Sequence, residues 1–509
     1  NLGPDANQFR WLVPDRPFQS LAAQTFMRDY FQPGLIERIS NCSLANDCTT
    51  SLKPLPAIAD LNRTLPVVTI TGVEQGATPD EALVSIEVRE GVDADAPNGK
   101  TKSGVFNPRV FRDFRFAAHT PDSDFELDQS RTRWREVNRM TDDDDKPGDG
   151  VHHFEAKLFL PTAAGTEEQF ISAYAFNEDR IKSDTAHYAY TRPTMTPRKP
   201  RAFVISIGVD DYVQNRLDLN YAAADAKLMK QRLAGIPGFE TRTVIATSEA
   251  GRGVVTADSI RMLLAILSGE YEKKDLLPRL KAEGIDASAL DMVGPDDVVI
   301  ITFSGHGWTQ KDDDFYLLAS DAKWPDRDPL PDIASLISSS ELTMWLRMIN
   351  AADIALVIDA CHSGASVDSG SFKPGPLGDA GLGQLAYDKG IRILAATQAD
   401  DVAMENANLR HGLLTFALAG DGEGLTRTDG LVDLDFDGKV SLSEWLAYPT
   451  WRLLDFNEDE RLSEGSKNAD ESVAFAFPNR TVKKEKKVQT PSLFDFTVSS
   501  KVTLKELAK

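Results

Sequence analysis

Cysteine is scarce in this chain, with three among 509 residues. That excludes a scaffold stapled by disulfides. It also disfavours a zinc site, since no cluster of Cys and His supplies four ligands. Long apolar runs are missing too, and nothing approaches the roughly 18 residues that cross a bilayer as a helix. Basic residues are outnumbered, 56 Lys and Arg against 78 Asp and Glu, which leaves a net charge of −22. Such a surface repels nucleic acid and anionic membrane at long range, so neither is an expected partner. It suits basic groups instead. No signal peptide is visible. The expected setting is cytoplasmic, with a periplasmic or secreted one left open because the first residue is Asn rather than Met.

What is present divides by texture. The length exceeds a single core and suggests about two to four domains. Residues 1–64 read as an irregular N-terminal segment with a helix-like aromatic stretch from Phe18 to Ile39. It holds Cys42 and Cys48, which either close a small disulfide loop or remain reduced thiols. Across 65–190 the period becomes two: Val84, Ile86 and Val88 alternate with polar neighbours, as do Phe154, Ala156 and Leu158. Short alternating strands with no helical period between them predict a small all-β, immunoglobulin-like sandwich. Asp142–Gly148 reads as an exposed loop within it. Residues 191–200, with three prolines, read as a linker. From 201 to 497 strands alternate with helices, which predicts an α/β domain with a mostly parallel sheet covered on both faces. Residues 498–509 remain as a C-terminal tail.

Two strings in the α/β part carry chemistry. Ser304-Gly305-His306-Gly307 follows the buried run Val298–Phe303, and Asp359-Ala360-Cys361-His362-Ser363-Gly364 follows Ile354–Ile358. In an open α/β sheet reacting groups collect where strands end at their carboxyl edge. A lone Cys is usually a small core hydrophobe. Here a His at the end of a neighbouring strand makes Cys361 a candidate nucleophile and His306 its base. The N–H groups of Gly307 and of Cys361 itself are candidate oxyanion donors. His362 is a rival base, although a short turn should point it away from Cys361.

With those residues in view, the chain resembles the caspase-hemoglobinase clan of cysteine peptidases. The hexapeptide Asp359–Gly364 is more similar to the metacaspases and bacterial orthocaspases than to animal caspases, whose Gln-Ala-Cys-x-Gly pattern is absent. The resemblance covers roughly Arg201 to Phe496. It implies a caspase-like sheet and a Cys-His dyad with no cofactor for catalysis. It also implies a pocket for a basic P1 side chain formed by Asp359, by Ser304, and by Asp225 in Leu219-Asn220-Tyr221-Ala222-Ala223-Ala224-Asp225-Ala226. That octapeptide keeps the family's Asp but departs at its Gly, Cys and Asn positions. Two carboxylates in a partly desolvated slot favour Arg or Lys and exclude Asp. Asp400 and Asp401 are weaker candidates for the same groove. The glycine-rich stretch Ala365–Gly390, with Lys373 and Lys389, corresponds to a region often cut during maturation in this clan.

A separate signal lies further on. Asp433, Asp435, Asp437, Gly438 and Glu444 fall on the diagnostic positions of an EF-hand loop, with Lys439 offering its carbonyl and Ser441 an oxygen or a bridging water. Calcium is therefore a candidate ligand. A second run, Asp455-x-Asn457-x-Asp459, lacks the glycine and the final Glu. The expected function is a cysteine endopeptidase acting on proteins with exposed Arg or Lys, self-processing and calcium-modulated, within a bacterial regulatory or defence cascade. A regulatory protein or an upstream protease is an expected partner. The alternatives are a caspase-fold pseudoprotease and a calcium-dependent binding or scaffold protein.

Overall fold

The computed structural model describes residues 10–13, 15–26, 30, 39, 55–121, 131–141, 149–249, 254–309, 315–325, 330–362, 383, 386, 389–396, 405–406, 409–420, 432–458, 491–495 and 502–506. Near the start, β1 (Arg10–Val13) pairs antiparallel with β2 (Arg16–Ala22), and a short 3-10 turn follows at Ala23–Phe26. The helix expected from Phe18 therefore does not begin there, although Tyr30 and Ile39 of the same stretch are helical. Cross-strand pairing overrides a weak local signal, and Trp11, Phe26 and Tyr30 close edge-to-face over the hairpin.

Seven strands follow in two antiparallel sheets. They are β3 (Val67–Gln75), β4 (Glu81–Arg89), β5 (Phe106–Arg112), β6 (Arg115–His119), β7 (Val151–Phe159), β8 (Glu168–Phe176) and β9 (Ala186–Thr191). One sheet has the order β3-β4-β7 and the other β6-β5-β8-β9. The period-two pattern places alternate residues inward: Val84, Ile86 and Leu158 of the first sheet share one core with Val110, Ile171 and Ala173 of the second. A helix, α1 (Arg131–Asn138), interrupts the series where none was expected. Half of its residues are charged, and its one aromatic residue, Trp134, has a fully buried ring that stacks on Phe106 at 5.5 Å. One tertiary anchor holds a segment with little apolar periodicity of its own.

The α/β part runs β10 (Arg201–Val209), α2 (Ala222–Arg232), β11 (Glu240–Ser248), α3 (Ala257–Ser268), α4 (Lys273–Ala282), β12 (Val298–Thr309), β13 (Phe315–Leu318), β14 (Ile337–Ser338), α5 (Ser339–Arg347), β15 (Asp353–His362) and β16 (Ile391–Ala395). Then come β17 (Glu405–Asn406), β18 (His411–Gly412), α6 (Leu413–Ala419), β19 (Lys439–Ser441), α7 (Leu442–Glu458), β20 (Ser492–Phe494) and β21 (Thr503–Glu506). The sheet has the order β11-β10-β12-β15-β16-β20. It is parallel from β11 through β16, with β20 antiparallel at the edge. β13 folds back against the end of β12.

Strands buried on both faces need apolar residues at every position, which is why these read as continuous runs rather than alternations. Ile205, Phe303 and Ile358 pack with Leu263 and Leu346 of α3 and α5 on one face. Val204, Ile300 and Val357 pack with Met229, Leu414 and Trp445 of α2, α6 and α7 on the other. The helix starts are specified locally. Thr256 accepts the N–H of Ser259 ahead of α3, and Ser338 with Glu341 forms a capping box ahead of α5. Each such cap is worth about 1 kcal/mol.

Two expectations are corrected here. The last residues are not only a tail, because β21 pairs antiparallel with β19. Lys389, one of two candidate cleavage points, is buried: its Nζ donates to the Phe116 carbonyl at 2.8 Å and lies over the Phe116 ring. A protease needs an extended, accessible segment, so this position is unsuited to cutting. Lys389 precedes β16. Asp296, which takes the N–H groups of Thr162 and Ala163, precedes β12. Both contacts join the N-terminal sheets to the amino edge of the α/β sheet. Among the described residues, no helix is long and apolar enough to cross a membrane.

Candidate active site

The parallel register of β12 and β15 sets the site. Ser304 lies opposite Asp359, and two residues later His306 lies opposite Cys361. Gly208 of β10 completes the first row beside Ser304. Both rows stand at the carboxyl edge, where the two sequence motifs were expected to converge. The backbone thus makes the candidate base and the candidate nucleophile direct neighbours.

His306 is 2% exposed. Its Nε2 lies 2.8 Å from the carbonyl oxygen of Leu217, and its backbone N–H donates to the Tyr212 hydroxyl at 3.0 Å. A carbonyl only accepts, so Nε2 carries the proton of the neutral ring and Nδ1 is the basic nitrogen. Nδ1 has no hydrogen-bond partner among the described residues. Burial depresses the imidazole pKa to about 4, against smaller upward contributions from the Leu217 carbonyl and Asp218. The ring is therefore neutral, and able to accept a proton, across the physiological range.

The three residues expected to recognise a basic side chain come together. Ser304 Oγ donates to Asp225 Oδ2 at 2.9 Å. Asp225 reaches the strand end because α2 starts unusually close to β10. A Cβ on Gly208 would lie 2.2 Å from the Ala222 carbonyl oxygen, so only glycine permits the approach. Asp210 fixes that start by accepting the Ala222 N–H at 2.7 Å, and its burial lifts its carboxyl to about 6. Asp359 Oδ2 accepts both the N–H of Thr415 at 3.0 Å and its hydroxyl at 2.8 Å. Both acids are nearly fully buried. Burial pushes both carboxyls upward, and the charge of Asp359 adds to the rise at Asp225. Behind them a small cavity is walled by Ile207, Met229, Thr302 and Val357.

Sequence reasoning missed the segment that covers this acid pair. His411 Nδ1 lies 2.8 Å from Asp225 Oδ1, and the Gly412 N–H points at both oxygens of Asp225 at 3.2 Å. A Cβ on Gly412 would fall 2.6 Å from Asp359 Oδ2 and 3.1 Å from Asp225 Oδ2, so nothing larger than glycine fits between the acids. One signal was available. His411-Gly412, ahead of the apolar run Leu413–Ala419, repeats the dipeptide His306-Gly307.

Gly307 lies in β12, opposite His362 of β15 and Leu317 of β13. Asp400, Asp401, Lys373, Cys42, Cys48, the acidic loop Asp142–Gly148 and most of the glycine-rich stretch from Ala365 lie outside the described residues. In the EF-hand-like loop, Asp433, Asp435 and Asp437 each bring a carboxylate oxygen within 4.8 Å of the others. Gly438 makes the turn at φ +81°. Glu444 organises the loop by accepting the N–H of Leu434 at 2.7 Å and of Ser441 at 2.8 Å. Against the Asp437 N–H, which favours the charged form, desolvation and the charges of Glu444, Asp437 and Asp433 raise the Asp435 carboxyl. An all-oxygen donor set of this kind suits a hard cation. In the degenerate second run, Asp455 and Asn457 lie within α7 rather than in a loop.

Residues 201–498 match the family model of the caspase domain. Among solved structures, the chain is similar to one described as pro-sf-caspase-1, at 12% identity over 59% of this chain and 90% of that one, with a TM-score of 0.31. It is also similar to the Bacillus subtilis protein YXIM, at 11% identity over 63% of this chain and 72% of that one, with a TM-score of 0.16. Neither structural likeness is strong enough to carry an argument. No match was found among curated proteins.

Proposed function

This chain belongs to the caspase-domain family, and from that premise we propose that it is a metacaspase-like cysteine endopeptidase that cleaves after Arg or Lys. One observation carries the reading. The His306–Cys361 row stands two residues beyond the Ser304–Asp359 row, to which α2 adds Asp225. Reacting groups and recognition groups are thus a single strand repeat apart.

In the proposed mechanism Nδ1 of His306 takes the thiol proton and the sulfur attacks the scissile carbonyl carbon. The imidazolium that forms keeps its Nε2–H on the Leu217 carbonyl, which holds the ring in place and disperses its charge. The N–H groups of Gly307 and Cys361 would receive the oxyanion, each donor of this kind being worth about 3 kcal/mol. His306 then returns its proton to the departing amine, leaving an acyl-thioester. Water, deprotonated by His306, attacks the thioester carbon and releases the acid and the thiol. Asp359 and Asp225 bind the P1 cation. Aspartate at P1 would be repelled by the same carboxylates.

The remaining proposals are separate. The two N-terminal sheets are read as an immunoglobulin-like sandwich, whose described contacts lie at the edge remote from the site. A maturation cut in the linker between β15 and β16 now rests on Lys373. The loop Asp433–Glu444 is read as a calcium site that ties β19 to α7. The main reading is tested with peptides bearing Arg, Lys or Asp at P1, turned over by wild type, Cys361→Ala and His306→Ala. Cleavage after Arg and Lys by wild type alone supports it. Substantial turnover by purified Cys361→Ala, or equal cleavage after Asp and Arg, sinks it.

A further inference from the structure

The acid pair already has a basic side chain of its own chain as partner, His411, which pairs as an ion only when protonated. A carboxylate offers about four lone-pair sites. At Asp225 Oδ1 faces His411 Nδ1 and the Gly412 N–H, while Oδ2 faces the Ser304 hydroxyl and the same N–H. Asp359 Oδ2 is filled by the two donors of Thr415. A guanidinium that engages Asp225 through two parallel N–H···O bonds therefore has to take a position that His411 holds. Among the described residues, His411 is the one basic side chain within ion-pair distance of either acid.

His411 is also the accessible member of the pair. Its side chain is 22% exposed, against 3% for that of Asp225. It sits on β18, a two-residue strand that among the described residues pairs with the two-residue β17 alone. Gly412, by contrast, is wedged between the carboxylates.

We propose that His411 is a specificity-determining residue, an internal stand-in for the P1 cation that a substrate Arg or Lys must displace from Asp225 Oδ1. The inference rests on the reading of Asp225 and Asp359 as the P1 pocket. It makes the pocket self-filled in the absence of substrate, so that weakly held cations are refused and well-matched ones admitted.

The test compares wild type with His411→Ala, which vacates the position, and His411→Gln, which keeps an N–H donor. Kinetics are measured at about pH 8.5, above the ordinary imidazole and carboxylate ranges. Peptides carry Arg or the uncharged isostere citrulline at P1, and benzamidine serves as a competitive cation. Expected for His411→Ala are a KM for the Arg peptide and an inhibition constant for benzamidine both lowered about fivefold, with kcat within about twofold. His411→Gln stays near wild type, and the citrulline peptide does not respond. A His411→Ala variant whose KM is unchanged or raised, with Gln restoring it, overturns the proposal and leaves His411 as a structural donor. If benzamidine does not bind wild type at all, the P1 pocket itself has been misread, a result distinct from failure of the displacement.

Discussion

Replacing Asp359 with Asn should exchange activity for stability. The carboxyl is 7% exposed, and burial raises its pKa against the hydrogen bonds of Thr415 and the charge of His411. A raised carboxyl pKa means that the folded chain holds the proton more tightly than the unfolded chain. The resulting stability is complete below the ordinary carboxylate range and drains away as pH rises through the folded value. Near neutral pH and above, the ionised group is a net cost. Each unit of such displacement corresponds to about 1.4 kcal/mol, or about 3–6 °C of melting temperature for a domain of 150–250 residues. Asn keeps the local bonding, because both Thr415 donors end on the single oxygen Oδ2, at 3.0 and 2.8 Å. The expected result is a melting temperature raised at pH 8, with the advantage shrinking as pH falls and wild type takes up its proton. Over the same range kcat/KM for a P1-Arg peptide should fall about 100-fold or more, as when one member of a buried charge pair is lost. Calorimetry in a Cys361→Ala background avoids self-cleavage, and steady-state kinetics use the otherwise native chain. A lower melting temperature at pH 8 together with unchanged kcat/KM would refute the reasoning, because Asp359 would then be a structural acceptor and no part of a pocket.

Gly412→Ala should raise KM for basic P1 peptides about tenfold or more and lower the melting temperature, since its Cβ would sit 2.6 Å from Asp359 Oδ2 and displace the acids; a KM equal to wild type would mean that substrate does not meet this acid pair. The His306 imidazole is depressed to about 4, so stability is full above the unfolded value near 6.5 and is lost as pH falls toward the folded one. His306→Gln should accordingly flatten the acid side of a melting-temperature profile, and an unchanged slope there would place the buried proton elsewhere. Millimolar calcium should raise the melting temperature, more than magnesium does, and Asp433→Ala combined with Glu444→Ala should remove the shift; calorimetric titration with no heat would leave the loop as a turn. Incubated wild type should show a cut after Lys373 and none after Lys389, read by fragment mass, whereas Cys361→Ala should show neither. A Lys389 cut would mean that the contact with Phe116 opens in solution.

The α/β half was legible because its signals are local. Continuous apolar runs such as Val298–Phe303 and Ile354–Ile358 fit strands buried on both faces, and they lie inside β12 and β15, which run on through His306 to Thr309 and through Cys361 to His362. Strand position then implied which residues would share an edge, and the parallel register places His306 beside Cys361. Where one tertiary contact outweighed local preference, the sequence misled. β2 is a strand because of its partner, α1 is a helix around Trp134, and β21 returns to β19. Lys389 looked like an exposed basic residue in a glycine-rich stretch and is in fact held by a carbonyl and a ring 273 positions away.

The sequence by itself determined the α/β class, the buried strand runs and the candidate residue types for the chemistry, since each depends on periodicity and turn residues within a few positions of one another. It also supplied Asp225, Ser304 and Asp359, although only through resemblance to a family. Tertiary structure alone decided what stands against them. His411 meets Asp225 across 186 positions, and Thr415 meets Asp359 across 56. No periodicity encodes such pairings, because they are fixed by how closely α2 can approach β10 and by where α6 begins. Those distances arise only once both faces of the sheet are packed.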